Sequence, residues 1–255
     1  MSDSKDTREE PLYVLYGSQM GNSEQAAKDF CSLVKKTYTA DYWKSIDGGT
    51  DEPISVVPTH MQLDDLLELK HAAFTKVIVI FVSSYGVGQA PLGSYRFREV
   101  AEELLKKGNS DDGSKAPLQG LKYAICGLGD SNYTTYLKNP TTINAGLEAA
   151  GATRIGEMGK GDASVLGENA QGKVVARWSH EILKPLAKEI ASSETPDLKS
   201  MQEHVIKLLV KLDPDYEPPA STQIRRSSSS LAMAAAAGVA AVATTMAYLN
   251  VTKDT

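Results

Sequence analysis

Three glycine-bearing stretches hold the residues best suited to chemistry. In Gly17-Ser-Gln-Met-Gly-Asn-Ser23, side chains of Ser18, Gln19, Asn22 and Ser23 surround Met20 and Gly21. Successive N–H groups in such a turn converge on an anion, and a helix starting there adds partial positive charge. No Lys or Arg lies between Gly17 and Ala27, so a phosphate here would rest on neutral donors. Neither the Gly-Lys-Ser/Thr of a Walker loop nor the dinucleotide G-x-G-x-x-G is present. Taken alone, the stretch reads equally well as a capped helix start with Asn22 or Ser23 as N-cap. The second stretch, Ser83 to Pro91, sets Ser84 and Tyr85 beside Gly86 and Gly88. A tyrosine between flexible neighbours can lie flat on a planar ring system; the plainer alternative is a tyrosine packed over a sheet edge. The third, Gly127-Leu-Gly-Asp-Ser-Asn-Tyr133, offers the backbone of Leu128 and Gly129, the amide of Asn132 and a second ring, Tyr133. An Asx turn is its plain alternative. The remaining reactive residues form no such groups. Cys31 and Cys126 are far apart, and His60, His71, His180 and His204 show no ligand spacing.

The elements that must position these stretches alternate regularly. Strand patterns are predicted at residues 12–16, 54–57, 76–82, 121–126 and 154–158. Helical periodicity follows at 22–37, 63–69, 94–107, 141–150 and 169–190. Residues 76–82 form a continuous apolar run, as expected of a strand buried on both faces. The order predicts an α/β domain with a parallel sheet covered by helices on both sides. Ligands bind such sheets at the carboxyl ends of the strands. Each of the three stretches follows a strand, so the plain alternatives would have to hold at three of five strand ends together.

Gly-Ser-Gln-x-Gly-Asn, Ser-Tyr-Gly-x-Gly and Gly-Leu-Gly-Asp-Ser-Asn-Tyr, in this order, resemble the three FMN-binding loops of flavodoxins. The similarity is greatest to the FMN domains of diflavin reductases of the cytochrome P450 reductase, methionine synthase reductase and sulfite reductase flavoprotein type. Residues 147–155, Gly159 to Ala163 and Trp178 extend it over about 12–190. The resemblance implies a flavodoxin-like, doubly wound, five-stranded parallel sheet. It implies that Ser18, Gln19, Met20, Gly21, Asn22 and Ser23 surround the FMN phosphate, and that Tyr85 and Tyr133 stack on the two faces of the isoalloxazine. Ser84, Gly86, Gly88, Gly127, Leu128, Gly129 and Asn132 would meet the ring edge and ribityl chain, with Asp162 nearby. Gly86 is the residue whose peptide would turn its carbonyl toward a reduced ring nitrogen. Met20 departs from the family by standing where a hydroxyl is common. Val87, Gln89, Thr134 and Thr135 stand where acids are common, so the rim is more neutral than in those reductases. The domain is expected to work without an FAD/NADPH module of its own. Electrons are therefore expected from a separate NAD(P)H-dependent reductase and are expected to go to an acceptor redox protein.

The chain has 255 residues and a net charge of −5, which argues against a nucleic-acid partner. It reads as a disordered N-terminus (1–11), an FMN-binding domain (12–192), a linker with a short amphipathic helix (193–226) and an uncharged segment (227–252). Residues 231–251 are apolar or small over a membrane-spanning length and follow Arg225-Arg226. They are expected to anchor the protein to a cytosol-facing membrane of the endoplasmic reticulum, outer mitochondrion or peroxisome. If this segment stays out of lipid, the protein is expected to be cytoplasmic. Two rival readings remain open on sequence. One is an FMN-dependent NAD(P)H or quinone oxidoreductase, distinguished by rapid reduction with NAD(P)H alone. The other is a non-redox binding module with a degenerate FMN site, distinguished by refusal of added FMN.

Overall fold

The structure is a computed structural model and describes residues 7–46, 54–67, 74–108 and 116–216. The elements are β1 (Arg8–Gly17), α1 (Asn22–Thr37), α2 (Ala40–Ser45), β2 (Ile54–Gln62), α3 (Leu63–Leu67), β3 (Val77–Ser83) and α4 (Tyr95–Gly108). They continue with β4 (Lys122–Gly129), α5 (Lys138–Ala149), β5 (Thr153–Arg154), β6 (Gly159–Asp162), α6 (Gln171–Ala191) and α7 (Leu198–Leu212). The strands form one parallel sheet in the order β2-β1-β3-β4-β5, with β6 also paired to β4. This is the flavodoxin-like doubly wound order, whose direction reverses between β1 and β3.

Strand alternation divides the core in two. Tyr13, Leu15, Ile78, Ile80, Tyr123 and Ile125 project to one face, where α3, α4, α5 and α7 supply Leu66, Phe97, Ile143 and Leu208. Leu12, Val14, Val79, Phe81, Ala124 and Cys126 project to the other, against Phe30 of α1 and Trp178 and Leu186 of α6. Successive residues of a strand point to opposite faces, so the buried run Val77–Val82 serves both cores.

Three expectations need correction. In place of the expected fifth strand, 154–158, two short pieces flank those residues on one edge of β4, and 155–158 are not strand. Lys122 and Tyr123 take β5, while Cys126 to Gly129 take β6. Gly156, at φ 64°, lies between the pieces, where a left-handed backbone breaks an extended strand. Among the described residues the sheet therefore has six strands rather than five. Second, β2 does not stop at Pro58 but runs on to Gln62. It lies at the sheet edge, where a missing proline N–H interrupts no ladder. Third, β1 starts at Arg8, in register with Ile54 of β2, rather than at residue 12.

The end of the sheet away from the glycine-bearing loops is tied down. Lys76 Nζ donates to the carbonyls of Ile190 (2.8 Å) and Ser192 (2.7 Å), and Arg8 Nη2 donates to Ile190 O at 3.1 Å. These cations meet the carbonyls that a helix C-terminus leaves unsatisfied. The helix predicted within 193–226 forms as α7, and its Met201, Val205, Leu208 and Leu209 are buried in the first core. Among the described residues no helix is long and apolar enough to cross a membrane. The expected anchor at 231–251 and the rest of 227–252 lie outside the described residues.

Candidate functional site

The loops after β1, β3, β4 and β6 enclose a cleft of about 590 Å³ at the carboxyl end of the sheet. The first loop passes from β1 into α1 through Gly21, whose left-handed backbone (φ 87°, ψ −11°) sets the helix N-cap without a side-chain cap. Ser18 N–H donates to Leu92 O at 3.1 Å, and Ser18 Oγ accepts from Ser23 N–H at 3.2 Å. Ser23 is fully buried, and its hydroxyl has no protein partner; neither does the buried Oε1 of Gln19. Buried polar groups are nearly always paired. Two orphans beside one helix N-terminus therefore point to a polar ligand.

The second loop folds back on itself. Tyr85 N–H donates to Gln89 O at 3.0 Å and Gln89 N–H to Tyr85 O at 2.8 Å, with Gly86 and Gly88 at positive φ between them. Tyr85 is thereby held out at the cleft, 47% exposed. The third loop brings Tyr133 to the same cleft at 63% exposure. Asn132 N–H donates to Asp130 Oδ1 at 2.9 Å, which is the Asx turn considered above.

Ten of the expected residues line the cleft: Ser18, Gln19, Met20, Asn22, Ser84, Tyr85, Gly86, Leu128, Gly129 and Tyr133. Six do not. Gly21 and Ser23 stand behind the first loop as its turn and its buried hydroxyl. At Gly88 a Cβ would meet Lys138 and Thr135, and at Gly127 it would meet Pro140 and Leu137, so both allow close packing. Asn132 holds its own turn. Asp162 ties loops together: its Oδ1 accepts from Ser131 N–H (3.0 Å), Ser164 N–H (2.9 Å) and Ser164 Oγ (2.9 Å). Hydrogen bonds from Ser131 and then Ser164 hold its carboxyl at about 2, below the ordinary 3.8. Cys126 lies in the core, where burial pushes its thiol up to about 12 and keeps it protonated at neutral pH.

Sequence reasoning missed the residues that brace the site. Buried Asn139 donates from Nδ2 to Ser83 O (2.9 Å) and from its N–H to Ser84 Oγ (3.1 Å), while its Oδ1 accepts from Arg98 at 3.0 Å. Gln171, which lines the cleft, donates to the carbonyls of Gly129 (3.0 Å) and Gly161 (3.2 Å). Only Asn139-Pro140 left a sequence trace, as a dipeptide that favours turns.

The Flavodoxin family profile matches residues 52–175. The chain carries a flavodoxin domain. The NADPH–cytochrome P450 reductase of Saccharomyces cerevisiae is 29% identical over 182 residues, covering 71% of this chain and 22% of that one. The methionine synthase reductase of Caenorhabditis elegans is 31% identical over 152 residues, covering 60% and 19%. A mitochondrial pyruvate dehydrogenase [NADP(+)] of Euglena gracilis is 33% identical over 150 residues, covering 58% and 7%. The chain thus spans less than a quarter of the length of these relatives. A mutant flavodoxin from Pseudomonas aeruginosa superposes with a TM-score of 0.48 at 18% identity, over 69% of this chain and 99% of that one. Flavodoxin domains bind FMN, and the donor set of this flavodoxin domain fits that molecule. The Ser23 hydroxyl and the α1 N-terminus offer donors to a phosphate. The Gln19 acceptor suits a hydroxyl of the sugar-alcohol chain, and Tyr85 and Tyr133 offer aromatic surface to a flat ring.

Proposed function

We propose that this protein is an electron-transfer flavoprotein, which receives electrons from a separate NAD(P)H-dependent reductase and passes them to an acceptor redox protein. The observation that carries this reading is the cleft itself. Two half-exposed tyrosines and the unpartnered Oε1 of Gln19 line one strand-end cavity, with the unpartnered buried hydroxyl of Ser23 behind its first loop. FMN, when bound, supplies a centre that takes up and releases electrons. Around it the chain's own residues bind and orient. Ser18, Asn22 and Ser23 hold the phosphate end without a cation, leaving its charge to be balanced by backbone dipoles. Tyr85 and Tyr133 cover the ring and exclude water from its faces. Gly86, at φ 52°, gives its peptide a freedom that no other residue type would give. The relatives named as reductases support the assignment to electron transfer.

The uncharged run at 231–251 supports a further part of the reading, namely anchorage to a cytosol-facing membrane. Carbonate extraction of membranes from cells expressing the full chain should leave it in the pellet, and removal of 227–255 should release it. Release of the full chain by carbonate would reject the anchor.

The principal test is an absorption spectrum of the purified full chain, followed by addition of NADPH with and without a separate FAD-containing NADPH reductase. Flavin bands released as FMN, with fast bleaching only when the reductase is present, are expected. Fast bleaching by NADPH alone would reject the carrier in favour of a self-sufficient oxidoreductase. A colourless protein that takes up no added FMN would reject both.

A further inference from the structure

The described residues expose ten large apolar side chains, and eight of them sit on or directly after the loops at the carboxyl end of the sheet. Scattered exposed apolar residues are ordinary, but their gathering at one pole is not. Met20 (85% exposed) and Val87 (74%) line the cleft together with Tyr85 and Tyr133. Leu92 (51%) adjoins the first loop, because its carbonyl accepts from Ser18 N–H at 3.1 Å. Leu166 (84%) follows cleft-lining Ala163 by three residues. Charge is scarce in the same place. Residues 18–22, 84–95, 130–137 and 163–170 include only two charged side chains, Asp130 and Glu168, in a chain that is 23% charged.

Resting on the FMN reading above, we propose that this pole is the docking face for a redox partner whose own contact surface is apolar and uncharged, and that docking is driven by burial rather than by charge pairing. A partner with a strongly basic face would find three carboxylates here, Asp130, Asp162 and Glu168, the second already engaged by Ser131 and Ser164, and would have to desolvate its remaining cations against Met20, Val87, Leu92 and Leu166, which is unfavourable. A partner with an apolar face buries surface without that penalty. Complexes formed this way change little with salt, whereas charge-steered ones weaken steeply. Such a face also sits beside the cleft, so docking excludes water from the site.

The test uses the FMN-loaded full chain and two probe proteins: azurin, with an apolar patch over its copper, and cytochrome c, with a lysine-ringed haem edge. Binding is measured by titration calorimetry at 10 mM and 500 mM NaCl. The expected results are that azurin binds more tightly than cytochrome c and that its Kd changes less than about twofold with salt. A double variant, Leu92→Glu with Leu166→Glu, should weaken azurin binding about tenfold and strengthen cytochrome c binding at low salt. Neither residue lines the cleft, so flavin absorbance per mole of protein should stay at the parent value. Azurin binding unchanged in the variant, or a parent that prefers cytochrome c with steep salt dependence, overturns the proposal. So does a variant that keeps azurin binding but loses self-association in sedimentation or vesicle flotation, which would assign the face to a second copy or to lipid. A parent chain that holds no FMN removes the FMN reading itself, and that outcome is read from absorbance before any partner is added.

Discussion

Ser23 is the residue at which the empty-handed chemistry of the site shows best. A buried hydroxyl without a partner costs roughly 1–3 kcal/mol, and Ser23 is fully buried with no partner for its Oγ. Removing it should therefore separate folding from binding. Ser23→Ala should leave the FMN-free domain as stable as the parent or more so in urea melts. It should weaken FMN by about 10- to 150-fold in fluorescence titration, the equivalent of a hydrogen bond to a charged group at roughly 1.5–3 kcal/mol. A fall in both quantities would mean that Ser23 serves only the fold. Tyr133→Ala tests the other end of the cofactor. Stacking adds roughly 0.5–1.5 kcal/mol beyond area burial, so FMN should bind several-fold more weakly. Affinity equal to the parent's would remove Tyr133 from the site. Both residues stand out in the sequence because they sit at fixed offsets within glycine-bearing loops. Asn139 does not, because its bonds to Ser83 O and Ser84 Oγ cross more than fifty residues of chain. No local pattern reports such a partner.

At the scale of elements, α7 shows how a readable helix can have an unreadable destination. Its amphipathic spacing at 198–212 predicts a helix, but nothing local says which surface receives the apolar face. In the structure Lys211 Nζ donates to Glu103 Oε2 of α4 at 2.8 Å, Arg96 pairs with Asp213 at 3.2 Å, and Leu208 is 3% exposed. Leu208→Ala should destabilise the domain by about 2–5 kcal/mol in chemical denaturation; an effect within about 0.5 kcal/mol would show a helix that merely trails from the fold. The loop clasp around Asp162 is an element-level device with a pH signature. Its carboxyl titrates at about 2 in the fold and at 3.8 when free. A lowered folded value stabilises above the free value and is lost as pH falls through the folded one. The protection factors for amide exchange at Ser131 and Ser164 should therefore stay high above about pH 4 and fall as the pH approaches 2. Asp162→Asn should abolish that pH dependence. The edge pieces β5 and β6 escaped sequence reading for a related reason. Gly159-Lys-Gly-Asp162 has no apolar alternation, and it becomes a strand only because β4 offers it an edge.

At the scale of the whole molecule, the sheet order brings four loops from distant parts of the chain to one pole, while Arg8 and Lys76 fasten the opposite pole to the end of α6. A ligand held by loops from β1, β3 and β4 at once should stabilise the sheet as a unit. FMN at a hundredfold excess over its Kd should add about 2.7 kcal/mol of stability, read as a rise in Tm shared by circular dichroism and tyrosine fluorescence. A rise seen by one probe only would indicate local ordering instead. The alternation of strand and helix patterns made this architecture legible in advance, because each pattern has its own period.

The sheet order also has a consequence for how the protein is made. β1 leaves the ribosome before β2 and β3, yet in the finished sheet it lies between them, and the last residue of β3 is Ser83. Until β3 emerges, the edge of β1 that β3 will cover presents open backbone groups, a template for pairing with foreign strands. Translation pauses between the emergence of β1 and that of β3 should therefore be the dangerous ones, and a chaperone that shields Leu12 to Leu15 during that interval would do more for yield than one acting on the released chain.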